Sequence, residues 1–444
     1  MPSIEEMDNM DNMDNIGNID NMDNIGNKDD LPNVSILTIT RNRKAFLPLM
    51  LKNWNDFSYP KDKLEWIILD DGTEDLSDGL PDSDNIKYIK LSRPEIKKFI
   101  DMIDLSYLSK DKDKQVLSKK ALGGAETDEK AELIQQYYKK TCRLPIGFKR
   151  DYGINLCSHD FIMHMDDDDY YPPDCIQLRL SFLDERRRIQ CIYTSEIDTY
   201  TTKTAKLERV GLPKFCNEAT LFHTKEYWNT YKFKWEDIYN EGQYFIHGHM
   251  EARKMPCKDM IVNIIHDENY SMRNMKSQED TKDEDLTAFN WEDISDCMGK
   301  ISPEVSLLDL YDKKSGGSIL SINSDSDILN NLVDKYEWKN LQLNPAKKFR
   351  EKEIIKTIKK TNPSKVHFDL MVMGCKQPIW TIFDKYIFSV ILLENKYNLD
   401  QVDGILTQKG YMPITLGKMC CYVAKMYLKT EQVKKKEGPP GPVT

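Results

Sequence analysis

Apolar residues fall in short unbroken runs separated by polar turns, and the spacing within each run names its element. The first run, VSILTIT from Val34, is rich in β-branched residues, contains no breaker and reads as a strand covered on both faces. RKAFLPLMLKNWNDF behind it carries apolar residues at helical spacing. LEWIILDDGTED then supplies a second buried strand that ends in Asp70, Asp71 and Gly72. Strand, helix and strand in that order predict a right-handed crossover between parallel neighbours. NIKYIKLS predicts a third short strand. Residues 94–140, mostly charged and interrupted by Gly123 and Gly124, read as a helical insertion on the surface.

The next stretch is the densest: a helix expected over 150–158, a strand over 161–165, an acidic turn, and a helix beyond Pro173. IQCIYTSEI and EATLFHT read as strands of the same sheet or of a small second one. This alternation predicts an α/β fold with a Rossmann-like, mostly parallel sheet and helices on both faces, over residues 31–275. Residues 276–300 turn acidic and polar and read as a linker. SKVHFDLMVM and YIFSVILLENKYNL place a smaller α/β or α+β domain in 301–432, with no motif that assigns it a role. Residues 1–30, an Asn- and Asp-rich repeat, read as a disordered tail, and 433–444 as a flexible one.

Composition narrows the picture. A chain of 444 residues has room for two or three domains, and 31% charged residues suit tails and insertions around a folded centre. A net charge of -10 argues against a protein that coats nucleic acid or an anionic membrane. No run approaches the ~18 apolar residues of a membrane span, and the N-terminus has no secretory pattern, so the expected setting is cytoplasmic. The ten cysteines show no CxxC pair and read as free thiols.

In an open parallel sheet, ligands bind outside the carboxyl ends of the strands, and three such ends here are polar. The first offers Thr38, Thr40, Asn42 and Arg43. The second offers Asp70 and Asp71, suited to the edge of a base or to ribose hydroxyls. The third offers Asp166 to Asp169. Four carboxylates in tandem repel one another unless a cation neutralises them, and hard oxygen donors suit Mg²⁺ or Mn²⁺. In an extended turn Asp166 and Asp168 face one way and Asp167 the other.

VSILTITRNR, LEWIILDDGTED and GFKRDYGINLCSHDFIMHMDDDDYYPP together resemble the nucleotide-sugar half of inverting family 2 glycosyltransferases, which have the GT-A fold. The resemblance spans residues 34–173 and continues more weakly to about 273. It implies that Thr38, Thr40, Arg43, Asp70, Asp71, Arg150, Asp166 and Asp167 contact a nucleoside-diphosphate sugar, with a UDP-sugar favoured. It implies that Asp166 and Asp168 are the two carboxylates of a DxD motif, with Asp168 first among the metal ligands. His266, in HDENYSMR, resembles a metal- or diphosphate-facing element and brings Asn269, Ser271 and Arg273 with it. The general base implied by the family falls in KFKWEDIYNEGQYFIHG, as Glu241 or Asp237. The HGH of His247 and His249 is a weaker metal pair. The implied reaction is transfer to a hydroxyl of a glycan or protein acceptor, with inversion.

Two rivals stand beside that reading. A sugar-nucleotide nucleotidyltransferase needs a glycine-rich loop after the first strand, and TRNRKAF has none. A GT-A-fold binding or virion-associated protein without turnover would have little use for the acidic strand end. The low-complexity tract and the DDDDYYPP turn also resemble glycosyltransferases of giant DNA viruses, which implies a host-cytoplasm or virion setting.

Overall fold

A computed structural model describes residues 31–105, 127–183, 188–211, 216–238, 240–266, 276–277, 285–298, 316–322, 324, 327–343, 351–361, 367–374, 382–383, 385–393, 402, 405–406, 408–409, 411–416 and 419–424. The two tails, Gly123 and Gly124, residues 278–284 and 299–300 of the acidic linker, and Asn269, Ser271 and Arg273 lie outside them.

In chain order the strands of the first part are β1 (Val34–Thr40), β2 (Leu64–Asp70), β3 (Ile86–Lys90), β4 (Phe161–His164), β5 (Cys191–Tyr193), β6 (Glu196–Thr201), β7 (Lys206–Gly211), β8 (Phe222–Thr224), β9 (Ala252–Lys254), β10 (Val262–Ile265) and β11 (Lys276–Ser277). Seven of them form one sheet in the order β3-β2-β1-β4-β8-β5-β9. β3, β2, β1 and β4 are mutually parallel, β8 runs against both β4 and β5, and β9 is parallel to β5. The register sets Thr40 beside Asp70 and Asp70 beside Lys90, so the polar residues that end these strands share one edge. A four-stranded sheet, β10-β6-β7-β11, stands beside it. The α/β architecture expected from the alternation is present, a large and mainly parallel sheet consistent with a GT-A fold.

Two boundaries differ instructively. IQCIYTSEI divides between β5 and β6, which belong to different sheets, because Thr194 and Ser195 interrupt the run. The helix expected from residue 150 begins four residues earlier.

Helix α1 (Leu47–Asp56) has proline in its first turn and buries Leu47, Leu49, Met50 and Trp54. Helix α2 (Arg93–Met102) opens on a capping box in which Ser92 and Glu95 satisfy each other's backbone donors. It pairs with α3 (Thr127–Thr141). The described part of the insertion is not a surface decoration, because Ile96, Ile100, Ile134, Tyr137 and Tyr138 are buried in one apolar cluster. Helix α4 (Ile146–Leu156) starts after Pro145 and buries Phe148 and Ile154 together with Lys149, Arg150 and Asp151. Three consecutive polar residues inside a packed helix have to find partners, and those partners form the site. Gly153 admits the helix onto β1: a Cβ there would lie 2.6 Å from a methyl carbon of Leu37.

The chain continues through α5 (Cys175–Ser181), α6 (Lys225–Thr230) and α7 (Gly242–Ile246). A six-stranded sheet follows, built from β12 (Ser318–Ile322), β13 (Lys339–Leu343), β14 (His367–Met373), β15 (Ile387–Leu393), β16 (Tyr411–Leu416) and β17 (Met419–Ala424), in the order β13-β12-β14-β15-β17-β16. Its first four strands are parallel, and β17 is antiparallel to both neighbours. Helix α8 (Asp327–Tyr336) joins β12 to β13, and α9 (Glu351–Thr361) joins β13 to β14.

Cys142, Cys157, Cys175, Cys191, Cys216, Cys257 and Cys421 are buried, Cys297 is half-buried, and none of these forms a disulfide. Burial pushes the Cys175 thiol up to about 11 and those of Cys157 and Cys257 up to about 12.

Candidate active site

The loops after β1 and β2 are stitched together at their first residues. Asn42 takes a left-handed conformation, φ 53°, which asparagine tolerates better than most residues, and its amide oxygen accepts from the Thr73 N–H at 2.6 Å. Gly72 makes that approach feasible, since a Cβ on it would sit 2.5 Å from the Asn42 nitrogen.

Asp70 and Asp71 both turn into the protein. Asp70 accepts from the Gly72 N–H at 2.6 Å, the Tyr88 hydroxyl at 2.8 Å and Lys90 at 2.7 Å. Asp71 is fully buried and accepts from Lys149 at 2.9 Å and the Leu144 N–H at 2.7 Å, with Arg41 at 3.4 Å. Burial alone would push its pKa up, but Lys149 and Arg41 hold it below the usual carboxylate range. Thr38 lies within β1, where its hydroxyl accepts from the Trp66 indole at 3.0 Å.

The four carboxylates after β4 go to four places. Asp167 accepts from the Thr40 hydroxyl at 2.6 Å, which ties the acidic turn to the end of β1. Asp169 accepts from Asn263 at 2.7 Å and the Ile264 N–H at 3.0 Å, which ties the same turn to β10. Asp168 meets Arg43 at 3.0 Å and His266 Nε2 at 3.3 Å. Asp166, the most exposed of these ion-paired carboxylates with a third of its side chain open, meets Arg150 at 3.3 Å. Desolvation pushes Asp166 up and Asp167 up to about 6 against the pull of Arg150 and Arg43, and it pushes Asp169 well above the ordinary range, where the charges of Asp168 and Asp166 add to it. Asp168 is half-buried, and Arg43 and His266 outweigh its desolvation and hold it below its ordinary value. Asp168 is thus the carboxylate of the four whose charged form its neighbours favour most.

Arg150, on α4, is the hub. Its Nε donates to Glu241 at 2.6 Å, one terminal nitrogen reaches Asp166, and the other donates to His164 Nδ1 at 3.0 Å. His164 Nε2 lies 3.1 Å from His223 Nε2, and His223 Nδ1 lies 3.0 Å from the Thr224 carbonyl. A guanidinium only donates and a carbonyl only accepts, so the chain of bonds assigns both tautomers. His164 accepts at Nδ1 and donates from Nε2; His223 accepts at Nε2 and donates from Nδ1. Both rings are thus neutral, and burial followed by Arg150 holds His164 well below 6.5.

His223 is held down to about 4, chiefly by burial. Between pH 6.5 and 4 the unfolded chain binds a proton there that the native chain refuses, so native stability falls as pH falls through that window. Above pH 6.5 the ring contributes no slope. His223→Gln removes this titration, and its stability relative to the parent is expected to improve by up to about 3 kcal/mol between pH 7 and pH 4. Urea unfolding of both proteins at several pH values checks it; a constant gap would mean that His223 is not held neutral.

Glu241 is buried on its ion pair with Arg150. The following Gly242 is required by packing, because a Cβ there would lie 2.7 Å from Cys216 Sγ, and its N–H donates to Glu218 at 3.3 Å. Asp237 is also buried and stands at the start of α4, where its carbonyl accepts from the Gly147 N–H at 2.8 Å. The geometry therefore joins Glu241, Arg150 and Asp166 in one network and Thr40, Arg43, Asp167, Asp168 and His266 in the adjoining one. His249 stacks on Tyr231 with ring centroids 3.7 Å apart, and His247 is exposed.

Among the described residues no three His, Cys, Asp or Glu side chains are arranged as a ready metal cage. The donors that face each other are Asp168 Oδ2 and His266 Nε2. One carboxylate and one imidazole, completed by water and phosphate oxygens, suit a divalent first-row cation, and the nitrogen favours Mn²⁺ over Mg²⁺. The residues present fit such an ion.

Sequence reasoning missed Lys149, His164, His223, Glu218, Asn53 and Asn263. A signal existed for some of them: Lys149, Arg150 and Asp151 interrupt an otherwise apolar helix, and His164 and His223 each follow an apolar strand residue. Asn53, which donates to the Asp169 carbonyl at 2.8 Å and accepts from the Tyr171 N–H at 3.1 Å, carried none.

Residues 124–257 match the model of the glycosyl transferase family 2 domain. No curated protein matches the chain. Among solved structures, S. aureus TarS 1-349 is 11% identical, with a TM-score of 0.34, over 52% of this chain and 60% of that one. The same protein in complex with UDP-GlcNAc is 11% identical at TM-score 0.34, over 69% of this chain and 71% of that one. The mannosyltransferase PcManGT from Pyrobaculum calidifontis, in complex with GDP-Man and Mn2+, is 10% identical at TM-score 0.30, over 52% and 56%. Likenesses at this level bear on neither substrate nor activity. Among the described residues no helix is long and apolar enough to cross a membrane.

Proposed function

We propose that the chain is a metal-dependent glycosyltransferase that moves a sugar from a nucleoside-diphosphate sugar, UDP-linked by preference, to a hydroxyl of a glycan or protein, with inversion. The observation that carries the reading is the Arg150 bridge, which holds Glu241 at 2.6 Å and the strand-end Asp166 at 3.3 Å from one guanidinium. The match to the family 2 domain over 124–257 supports it, since that span includes Arg150, the four aspartates, Asp237 and Glu241. The hexose transferred, the cytoplasmic setting and any viral one are parts of the proposal that rest on the sequence.

The reaction separates charge: the bond to the diphosphate breaks while an acceptor hydroxyl loses its proton. Arg150 lies beside Asp166 with its charge fixed, and it stabilises the departing diphosphate without reorganising at that moment. Arg43, beside Asp168, serves the same side. A divalent cation held by Asp168 and His266 would neutralise diphosphate oxygens when bound. The ion pair engages Glu241 Oε1, and the carboxylate's second oxygen is the atom that takes the acceptor proton.

A thermal-shift panel of UDP- and GDP-linked sugars, with and without Mn²⁺, tests the donor reading, because a ligand that binds only the native state raises the melting temperature. A shift that needs both sugar nucleotide and Mn²⁺ is expected; no shift with any of them would overturn it. The base is tested by Glu241→Gln against Asp237→Asn at saturating donor. Glu241→Gln is expected to lose about 10²–10⁴ in kcat while retaining donor binding, and Asp237→Asn to lose far less. The reverse order would move the role to Asp237.

A further inference from the structure

Asp168 and His266 belong to different elements, the acidic turn after β4 and the residue after β10, so their separation depends on what holds that turn to β10. Tyr170 and Val262 make the joint. They form an antiparallel bridge and exchange both backbone hydrogen bonds, at 3.1 and 2.9 Å. In such a pair the N–H and carbonyl of Tyr170 face β10, which turns the Asp169 carbonyl and the Tyr171 N–H the opposite way. A further strand would ordinarily pair with those two groups.

Here one side chain takes its place. Asn53, on α1, donates from Nδ2 to the Asp169 carbonyl at 2.8 Å and accepts at Oδ1 from the Tyr171 N–H at 3.1 Å. It is 1% exposed, so these contacts are made away from water. A carboxamide offers a donor and an acceptor side by side, as a peptide group does; aspartate lacks the donor and leucine lacks both.

The same helix also reaches the other donor of the pair. Leu49, one turn before Asn53, is buried with Ile264 of β10. Phe46, immediately ahead of α1, has its ring centroid 4.9 Å from that of His266. On the side of the turn, the Tyr171 hydroxyl accepts from the Asp166 N–H at 2.7 Å, which closes the loop that carries Asp168.

We propose that Asn53 is a positioning residue that splints the acidic turn against β10 and thereby sets the separation of Asp168 and His266. The inference rests on the reading of that pair as the holder of a divalent cation. Asn53 itself touches neither donor. Its removal is expected to act as loss of an outer-shell partner does, weakening metal affinity about 10–100-fold.

Electron paramagnetic resonance of free Mn²⁺, measured on the full chain with UDP, gives the affinity. Asn53→Leu keeps the approximate size and removes both hydrogen-bonding atoms, and it is expected to show that loss. Asn53→Ser, which reaches only one of the two groups, is expected to fall between Asn53→Leu and the parent, and it carries the test if Asn53→Leu fails to fold. Ser35→Ala is the control for a merely structural effect. Ser35 is fully buried at the opposite end of β1, where its hydroxyl donates to Glu65 and accepts from the His159 N–H at 3.1 Å. That variant is expected to lower the melting temperature and leave Mn²⁺ affinity unchanged. Amide exchange is expected to quicken within 166–171 and 262–265 in the Asn53 variants and not in Ser35→Ala. Parental Mn²⁺ affinity in the Asn53 variants, an equal loss in Ser35→Ala, or unchanged exchange in both segments would overturn the proposal. A parent that binds no Mn²⁺ would sink the cation reading instead, and the exchange result alone would then decide whether Asn53 holds the turn.

Discussion

Arg150→Met is expected to lower folding stability by about 3–5 kcal/mol and to abolish turnover. The arginine and Glu241 are each about 3% exposed, and Asp166 leans on the same guanidinium. Removing the cation leaves the buried Glu241 without its counter-charge, with the partly exposed Asp166 close by, and that uncompensated charge, rather than the lost contact, sets the size of the effect. His164 loses its donor at the same stroke. Arg150→Lys keeps the charge but not the planar fork, which here sends three nitrogens to three different partners, so it is expected to restore part of the stability and little activity. Urea unfolding gives the midpoints. The double variant Arg150→Met/Glu241→Gln is expected to be more stable than Arg150→Met alone, because one of the two orphaned charges is gone. A loss under about 1 kcal/mol in the single variant would mean that Arg150 is a solvated surface charge and not the hub of the site.

The second large effect is expected at Asp168. Asp168→Asn keeps an oxygen for Arg43 and His266, which lie 3.0 and 3.3 Å away, and removes the carboxylate that these two neighbours hold below its ordinary value. Activity is expected to fall about 10²–10³-fold, the loss typical when one preorganised electrostatic group is taken from a reacting centre. The fold itself is expected to hold. The separating measurement is the melting temperature: Mn²⁺ with UDP is expected to raise it in the parent and in Asp167→Asn, but not in Asp168→Asn. Equal shifts in all three proteins would place the ion elsewhere.

How much of this was legible in the chain depends on the kind of contact involved. Val34–Thr40 and Leu64–Asp70 were readable because a strand covered on both faces leaves a run of apolar residues whatever lies next to it. The acidic turn was readable because four like charges in tandem need an explanation. The partners were not readable. Nothing local says that Thr40 meets Asp167 across 127 residues, or that Arg150 meets Glu241 across 91. Periodicity reports burial, not which element does the burying. That is why β5 and β6 looked like one run and entered two sheets, and why α2 and α3, charged on one face and buried on the other, looked like surface. Asp70 and Asp71 show the limit most clearly: their place at the strand end was evident, but Lys90 and Lys149, which claim their oxygens, approach from β3 and α4.

The buried thiols carry a practical consequence. A thiolate is the species that reacts with a maleimide, and burial suppresses it at Cys157, Cys175 and Cys257. These side chains stay silent to alkylation until the surrounding structure opens, so the pace of their labelling times that opening. Cys157 and Cys191 report on the first sheet and Cys421 on the six-stranded one, so mass spectrometry of one labelling course would clock both halves of the chain without an introduced probe.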